Sequence, residues 1–320
     1  MSALERDVIV VTGPTATGKT SLGAALAKKL GGEVISADSM QIYENMDIGT
    51  AKPTEAETLG VPHHMIGCVS PFSPYSAARY VADASACVDD VLSRGKQAVI
   101  VGGTGLYIDS LISGRDFAEQ PDPELRAALS AEYDRIGGEE MLRKLSERDP
   151  VTAARLHPND KKRIVRASEV LLSTGEAISR HDELSRQIPP RYRAFRIALS
   201  FADRSDLYAR IDARVDAMMS RGLEDEVRSL LASGLTAEHT AMQAIGYKEL
   251  CSYISGACSL DEAVETIKRE SRRYAKRQLS WLRRDPSVHW ILWNKGPDIP
   301  AGISDASEFL KEAGYAPAVS

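Results

Sequence analysis

Eight residues near the start of the chain have the types and spacing to hold phosphate. Gly13-Pro14-Thr15-Ala16-Thr17-Gly18-Lys19-Thr20 fits G-x-x-x-x-G-K-[ST]. In that pattern consecutive backbone N–H groups curl round a phosphate at the positive end of the following helix. Lys19 adds a point charge, and the Thr20 hydroxyl can hold Mg²⁺. The apolar run Val8–Val11 before the loop and the helical spacing of 19–30 after it supply the context the motif needs. A chance match in a glycine turn would lack that context. Alone, such a loop points to nucleotide binding, ATP included. ATP-hydrolysing proteins usually place an Asp at the end of a second apolar strand to hold the metal. Here the candidate strand Gln97–Val101 ends in Gly102-Gly103-Thr104. The acidic residue nearest a strand end is Asp38, after Val34–Ser36. The carboxyl ends of parallel strands line one crevice, which gathers Asp38, Thr104 and the loop round a common site. Taken alone, Asp38-Ser39 reads more simply as a helix cap.

Two local basic regions could meet a polyanion. Lys161, Lys162, Arg163 and Arg166 follow Asn159-Asp160, a helix cap. Positive charge in a first helical turn opposes the helix dipole at about 0.3–1 kcal/mol per charge, which an anionic partner would offset. The helix read over 260–284 puts Arg269, Arg272, Arg273, Lys276 and Arg283 on one side. Its residues 268–284 hold eight Lys or Arg against one Glu, Glu270. Such a stripe is usually a solvated face, but this excess favours phosphate contact.

The elements that must position these groups can be read in outline. The 320 residues, 43% hydrophobic and 27% charged, allow two domains or one carrying an insertion. A net charge of −5 gives no global sign of nucleic-acid binding. Cys68, Cys87, Cys251 and Cys258 have neither CxxC spacing nor paired histidines, so buried reduced thiols are expected. No apolar stretch reaches the roughly 18–20 residues of a membrane span and no signal peptide is visible, so a cytoplasmic protein is expected. Strands at Val8–Val11, Val34–Ser36 and Gln97–Val101 alternate with helices at 19–30 and 77–92, as in a parallel sheet with crossover helices. From Phe117 the pattern turns wholly helical, over 122–136, 139–148 and 159–174, up to Pro189-Pro190. A strand returns at Phe195–Leu199, followed by helices at 205–220, 223–233, 243–254 and 260–284, the last capped by Ser259. Val288–Leu292 reads as one more strand. The fold class expected is α/β: a P-loop NTPase-like parallel sheet core over 1–116 and 193–295, with an inserted all-helical domain over 117–192. The tail 296–320 reads as weakly structured and dispensable.

Several strings then fall together in order and spacing. They are Gly13–Ser21, Ser36-Ala37-Asp38-Ser39-Met40-Gln41-Ile42-Tyr43, Met46-Asp47-Ile48-Gly49-Thr50-Ala51-Lys52-Pro53 and Val101-Gly102-Gly103-Thr104-Gly105-Leu106-Tyr107. Further on come His157-Pro158-Asn159-Asp160, Ala244-Ile245-Gly246-Tyr247-Lys248 and Lys276-Arg277-Gln278-Leu279-Ser280-Trp281-Leu282-Arg283. From about Val8 to Trp290 the chain resembles the tRNA dimethylallyltransferases, the bacterial tRNA isopentenyltransferase family. The resemblance implies transfer of a dimethylallyl group from dimethylallyl diphosphate to the exocyclic amine of an adenosine beside the tRNA anticodon. The loop Gly13–Thr20 would then hold a diphosphate leaving group, with Mg²⁺ as cofactor. Asp38 would be the general base, Thr104 would flank the reaction channel, and an arginine of the 205–220 helix, Arg214 in preference to Arg210, would contact the diphosphate. Both arginines could equally be solvated helix charges.

An adenine stacked in an anticodon loop has to be flipped to reach such a site. The resemblance assigns its contacts to Asp38, Ser39, Met40 and Gln41, with the Gln41 amide able to read a base edge and Met40 read as packing. Further tRNA contacts are implied at Thr104, Arg126, Lys161, Lys162, Arg163, Arg166, Gln243, Gly246, Tyr247, Lys248, Lys276, Arg277, Gln278, Trp281 and Arg283. The Trp281 indole also reads as core. Partners expected are the tRNA anticodon stem-loop and dimethylallyl diphosphate, for a monomer with no obligate protein partner. One departure lies at Pro62-His63-His64-Met65-Ile66, where Gly67-Cys68 replaces the family's following Asp and leaves the histidines a structural reading. Rival readings are an adenylate isopentenyltransferase acting on a free nucleotide, a small-molecule kinase using ATP at the same loop, and a non-catalytic RNA-binding protein.

Overall fold

The computed structural model describes residues 6–114 and 122–315. β1 (Asp7–Thr12) runs into the phosphate loop and α1 (Lys19–Lys29), and then β2 (Glu33–Ser36), β3 (His63–His64), α2 (Ala77–Ser93), β4 (Ala98–Gly102) and α3 (Gly105–Ser113) follow. A helical stretch comprises α4 (Pro123–Ile136), α5 (Gly138–Ser146), α6 (Pro150–Arg155), α7 (Lys161–Thr174) and α8 (Ile178–Gln187). The chain returns through β5 (Arg193–Phe201), α9 (Arg204–Ser220), α10 (Leu223–Ala232), α11 (Tyr247–Ile254), α12 (Leu260–Leu282), β6 (His289–Trp293) and α13 (Ile299–Glu312).

The six strands form one parallel sheet in the order β3-β2-β4-β1-β5-β6. β1, β2 and β4 are buried along almost their whole length, as expected of strands covered on both faces by crossover helices. Ile9, Val11, Val99, Val101, Ile197 and Leu199 from the sheet share a core with Leu22 and Leu26 of α1, Ile211 of α9 and Leu279 of α12. At the head of α12 Ser259 and Glu262 close a capping box, which fixes where this 23-residue helix starts. No helix among the described residues is long and apolar enough to cross a membrane.

The chain divides into two compact units, Met1–Ile112 with Arg191–Ser320, and Ser113–Pro190. The expected start of the insertion, at 117, lies outside the described residues. Inside the helical unit, α4 and α7 pack through Leu129, Ile164 and Val165. Two of its helices, α6 and α8, were not anticipated. The first is six residues long, begun by Asp149 and Pro150, and too short to show a periodicity.

The expectation of a weakly structured tail needs correction for 296–315, where α13 stands; 316–320 lie outside the described residues. α13 buries Ala306 and Leu310 in the main core. The Trp293 indole at the end of β6 donates to Thr17 O in the phosphate loop (2.8 Å), and Pro297 and Ile299 pack beside Gly18. The buried side of α13 is built from glycine and alanine as much as from leucine, which mutes its hydrophobic signal.

Candidate active site

β2, β4 and β1 are neighbours in the sheet, so the segments leaving their carboxyl ends meet. Those segments are Ala37–Gln41, Gly103–Thr104 and the phosphate loop. Gly13 opens the loop at φ 141°, and a Cβ there would stand 2.4 Å from Leu199 O on β5, so only glycine lets the loop leave the sheet at this point. A cavity of about 750 Å³ lies over the strand ends. Its wall includes Thr15–Ser21, Asp38–Gln41, Gly49–Pro53, Arg210, Arg214 and, on α12, Tyr274, Arg277 and Gln278.

The cavity is cationic where the phosphate loop meets α9. Burial and the nearby Arg214 guanidinium push Lys19 down to about 7, against a smaller opposing pull from Asp38. Lys19 Nζ donates to Pro14 O at 2.6 Å. Burial also lowers Arg214, with Asp38 again opposing. Neither cation has a carboxylate within ion-pair distance among the described residues. Two half-buried cations without an ion-pair partner among the described residues are suited to an anion of more than one charge. Arg210 is exposed, donates from Nε to Ala16 O at 3.3 Å, and lies over the Phe201 ring. Thr20 lies in the same wall.

Asp38 faces these cations from the end of β2. Its Oδ1 accepts from Met40 N (2.9 Å) and Gln41 N (3.3 Å), which makes it the cap of a turn and not of a helix. Oδ2 takes no hydrogen bond from the described residues and is the atom available for chemistry. Thr104 stands behind the wall. Its hydroxyl accepts from Ser39 N at 3.1 Å, and the Tyr274 phenol lies nearby. That phenol, on the cavity wall, is raised to about 12 by burial and by the Asp38 charge.

Other expected contact residues are distributed unevenly. Gln243, Gly246, Lys248 and Arg277 line the cavity, and Arg277 lies over the Tyr274 ring. Gln41 Nε2 is committed to the chain's own loop, donating to Thr50 O (3.2 Å) and Ala51 O (3.0 Å). Only its oxygen, with a long bond from Ser36 Oγ (3.4 Å), keeps capacity for a base edge. Gln278, expected at the tRNA, is buried as a strut. Its Oε1 accepts from Thr15 N (3.3 Å) and its Nε2 donates to Gly103 O (2.9 Å). Tyr247, also expected there, is fully buried against Gly49 and Glu226, so no tRNA can reach it in this conformation. Trp281 is half-buried, its indole donating to Asp109 at 2.7 Å. Lys276 and Arg283 are exposed.

On α12 part of the basic stripe is structural, with Arg272 paired to Asp212, Lys268 to Asp216 and Arg273 to Glu270. In the helical unit Arg126 and Arg166 share the buried Glu169, Lys161 pairs with Asp134 and Arg163 with Asp160. Lys162 is exposed and has no ion pair among the described residues. His63 and His64 belong to the sheet. His64 joins Arg94 and Lys96 on the buried Glu33, which these partners hold well below the usual carboxylate range. The sequence reading missed Tyr274, Lys52, Glu57 and Arg221 as wall residues. Lys52 falls in one of the strings that carried the resemblance, and Arg221 lies two turns beyond Arg214.

This fold and pocket define a P-loop protein of the α/β class, with a cationic cradle, a facing aspartate and no carboxylate closing β4. The IPP transferase family model matches residues 41–285, and an isopentenyl transferase model matches 6–66. The chain belongs to the IPP transferase family. tRNA dimethylallyltransferase 1 of Citrifermentans bemidjiense is 46% identical over 284 residues, 89% of this chain and 91% of that protein. The tRNA dimethylallyltransferase of Acetivibrio thermocellus is 48% identical over 286 residues, again 89% and 91%. Among solved structures, the full-length tRNA isopentenylpyrophosphate transferase of Bacillus halodurans superposes with a TM-score of 0.70 at 38% identity, covering 97% of this chain and 99% of that one. A eukaryotic dimethylallyltransferase acting on tRNA gives 0.79 at 29% identity, with 94% and 77% covered.

Proposed function

We propose that this chain transfers the dimethylallyl group of dimethylallyl diphosphate to N6 of the adenosine 3′-adjacent to the anticodon in tRNA. The observation that carries the reading is the placement of Asp38, with one uncommitted oxygen, opposite Lys19 and Arg214 across a single cavity. The phosphate loop, Lys19 and Arg214 bind the diphosphate, with Arg210 at its exposed edge. The N6 lone pair forms a bond to C1 of the prenyl chain while the C1–O bond breaks. Its electron pair leaves on diphosphate, where preorganised cations stabilise the developing charge. Asp38 Oδ2 takes the N6 proton. Thr104 holds Ser39, and with it the turn that aims Asp38.

Thr20 is the residue that would hold Mg²⁺. Among the described residues no cluster of three or more metal-ligating side chains exists. One hydroxyl in a phosphate loop fits an ion carried chiefly by substrate oxygens and water. Such an ion, when bound, supplies further charge neutralisation at the leaving group.

The acceptor enters flipped from its stack. The exposed cations Lys276 and Arg277 on α12, Arg283 at its C-terminal cap, and Lys162 on α7 are suited to contact the tRNA backbone. A monomer in the cytoplasm, where tRNA is found, completes the reading. Purified protein is given labelled dimethylallyl diphosphate with tRNA, AMP or kinase substrates plus ATP. Label is expected in tRNA alone. Label in AMP alone, or phosphoryl transfer from ATP without prenyl transfer, overturns the proposal.

A further inference from the structure

The turn that follows the Asp38 segment is held by a residue with no place in the chemistry above. Glu226, in the first turn of α10, accepts four hydrogen bonds. Its Oε2 takes Asp47 N (2.8 Å) and Ile48 N (2.7 Å), and its Oε1 takes Gly49 N (3.1 Å) and the phenol of Tyr247. Three successive backbone N–H groups on one carboxylate form an anion nest filled by the protein's own side chain. Tyr247 closes it from α11. A Cβ on Gly49 would stand 2.4 Å from the Tyr247 ring, so the turn lies flat on that ring. Lys52 Nζ on Asp47 (2.6 Å) and Thr50 Oγ1 on Met46 O (2.6 Å) tie the turn to itself.

Residues 49–53 of this loop are cavity wall, and Thr50 O and Ala51 O receive the Gln41 amide three residues beyond Asp38. The connection therefore runs from Glu226 through the Asp47–Ala51 backbone to Gln41 and the Asp38 turn. The phosphate cradle is supported by other groups, Gln278 beneath Thr15 and Trp293 beneath Thr17. Disturbing Glu226 should thus move one wall of the cavity and leave the other in place.

We infer that Glu226 is a positioning residue for the acceptor side of the reaction: with Tyr247 it holds the 47–52 loop against the Asp38–Gln41 turn, forming the wall the flipped base meets. This rests on the prenyl-transfer reading. It adds a specific asymmetry, because Glu226 serves the tRNA site and not the diphosphate site.

The substitution Glu226→Gln keeps size but leaves one acceptor oxygen for four donors, and its amide hydrogens oppose the remaining N–H groups. Tyr247→Phe removes only the phenol and keeps the ring under Gly49. Steady-state kinetics are measured with both substrates varied, alongside thermal midpoints. For Glu226→Gln, KM for tRNA should rise about tenfold, in line with loss of a hydrogen bond to a charged group. KM for dimethylallyl diphosphate should stay near wild type, and the thermal midpoint should fall only slightly, since the Asp47–Gly49 N–H groups are partly exposed and water can take them. Tyr247→Phe should shift in the same direction by less, and Glu226→Asp should recover part of the loss. Parallel rises in both KM values with a strongly fallen midpoint in each variant, or no change in KM for tRNA, overturn the inference. Wild-type protein that transfers no prenyl group to tRNA overturns the proposed function instead, before any variant is compared.

Discussion

Lys19 carries two duties that conflict in the absence of an anion. In the proposed role it must be charged to hold diphosphate, yet burial and Arg214 bring it down to about 7. Unfolded, the same group titrates near 10.4. The lowered folded value costs the apo protein stability at pH below about 7, a cost that disappears as pH rises towards the unfolded value. A bound diphosphate reverses the preference and raises the lysine. Diphosphate binding at pH 8 should therefore take up protons, and its affinity should fall as pH rises through 7 and above. Calorimetry in two buffers of different ionisation enthalpy reads the proton count, and zero uptake would show that Lys19 is already charged in the free protein. Asp38 has the opposite character, since one oxygen caps a turn and the other is uncommitted. Asp38→Ala should abolish transfer and leave tRNA affinity largely intact. Joint loss of binding and activity would make the turn, not the base, its contribution.

At the scale of elements, the phosphate loop is stiffened by segments distant in sequence. α12 contributes Gln278 beneath Thr15, and β6 contributes Trp293 beneath Thr17. Trp293→Phe leaves a buried carbonyl unpaired, a loss of about 1–3 kcal/mol. It should lower the thermal midpoint and weaken diphosphate binding together. Ending the chain after Lys295 removes α13, uncovers the core round Ala306 and Leu310, and should give a larger effect of the same kind. An unchanged diphosphate affinity in the truncated protein, read by calorimetry, would show that the loop stands without this support.

For the whole molecule, an acidic chain that binds a polyanion must concentrate its positive charge. Many of the basic side chains that looked available are used internally. Arg126 and Arg166 neutralise Glu169, and Lys268 and Arg272 clamp α12 to α9. Exposed cations such as Lys162, Lys276, Arg277 and Arg283 have no ion pair among the described residues. Charge reversal at Lys162 and Arg163 should weaken tRNA binding and flatten its dependence on salt, by about 0.7–0.9 in log–log slope for each phosphate no longer neutralised. Lys276→Glu should do so separately. An unaltered slope removes that position from the interface.

The phosphate loop, the alternation of strands and helices around it and the Asp38 and Thr104 positions were legible in the sequence because each depends on residues adjacent along the chain. A glycine turn between a buried strand and a helix, a carboxylate just past a strand and a capping box at Ser259 are all local patterns. The sequence also showed how many charges the chain carries and where they cluster. Only the tertiary structure decided which charges find partners. It turned Tyr247 and Gln278 inward as supports, packed α13 of the tail that had looked weakly structured against the core, and brought Glu226 under Ile48, 178 positions earlier in the chain. Those outcomes depend on which backbone groups are left unpaired once the sheet is assembled, and pairing across such separations leaves no period or spacing in the sequence.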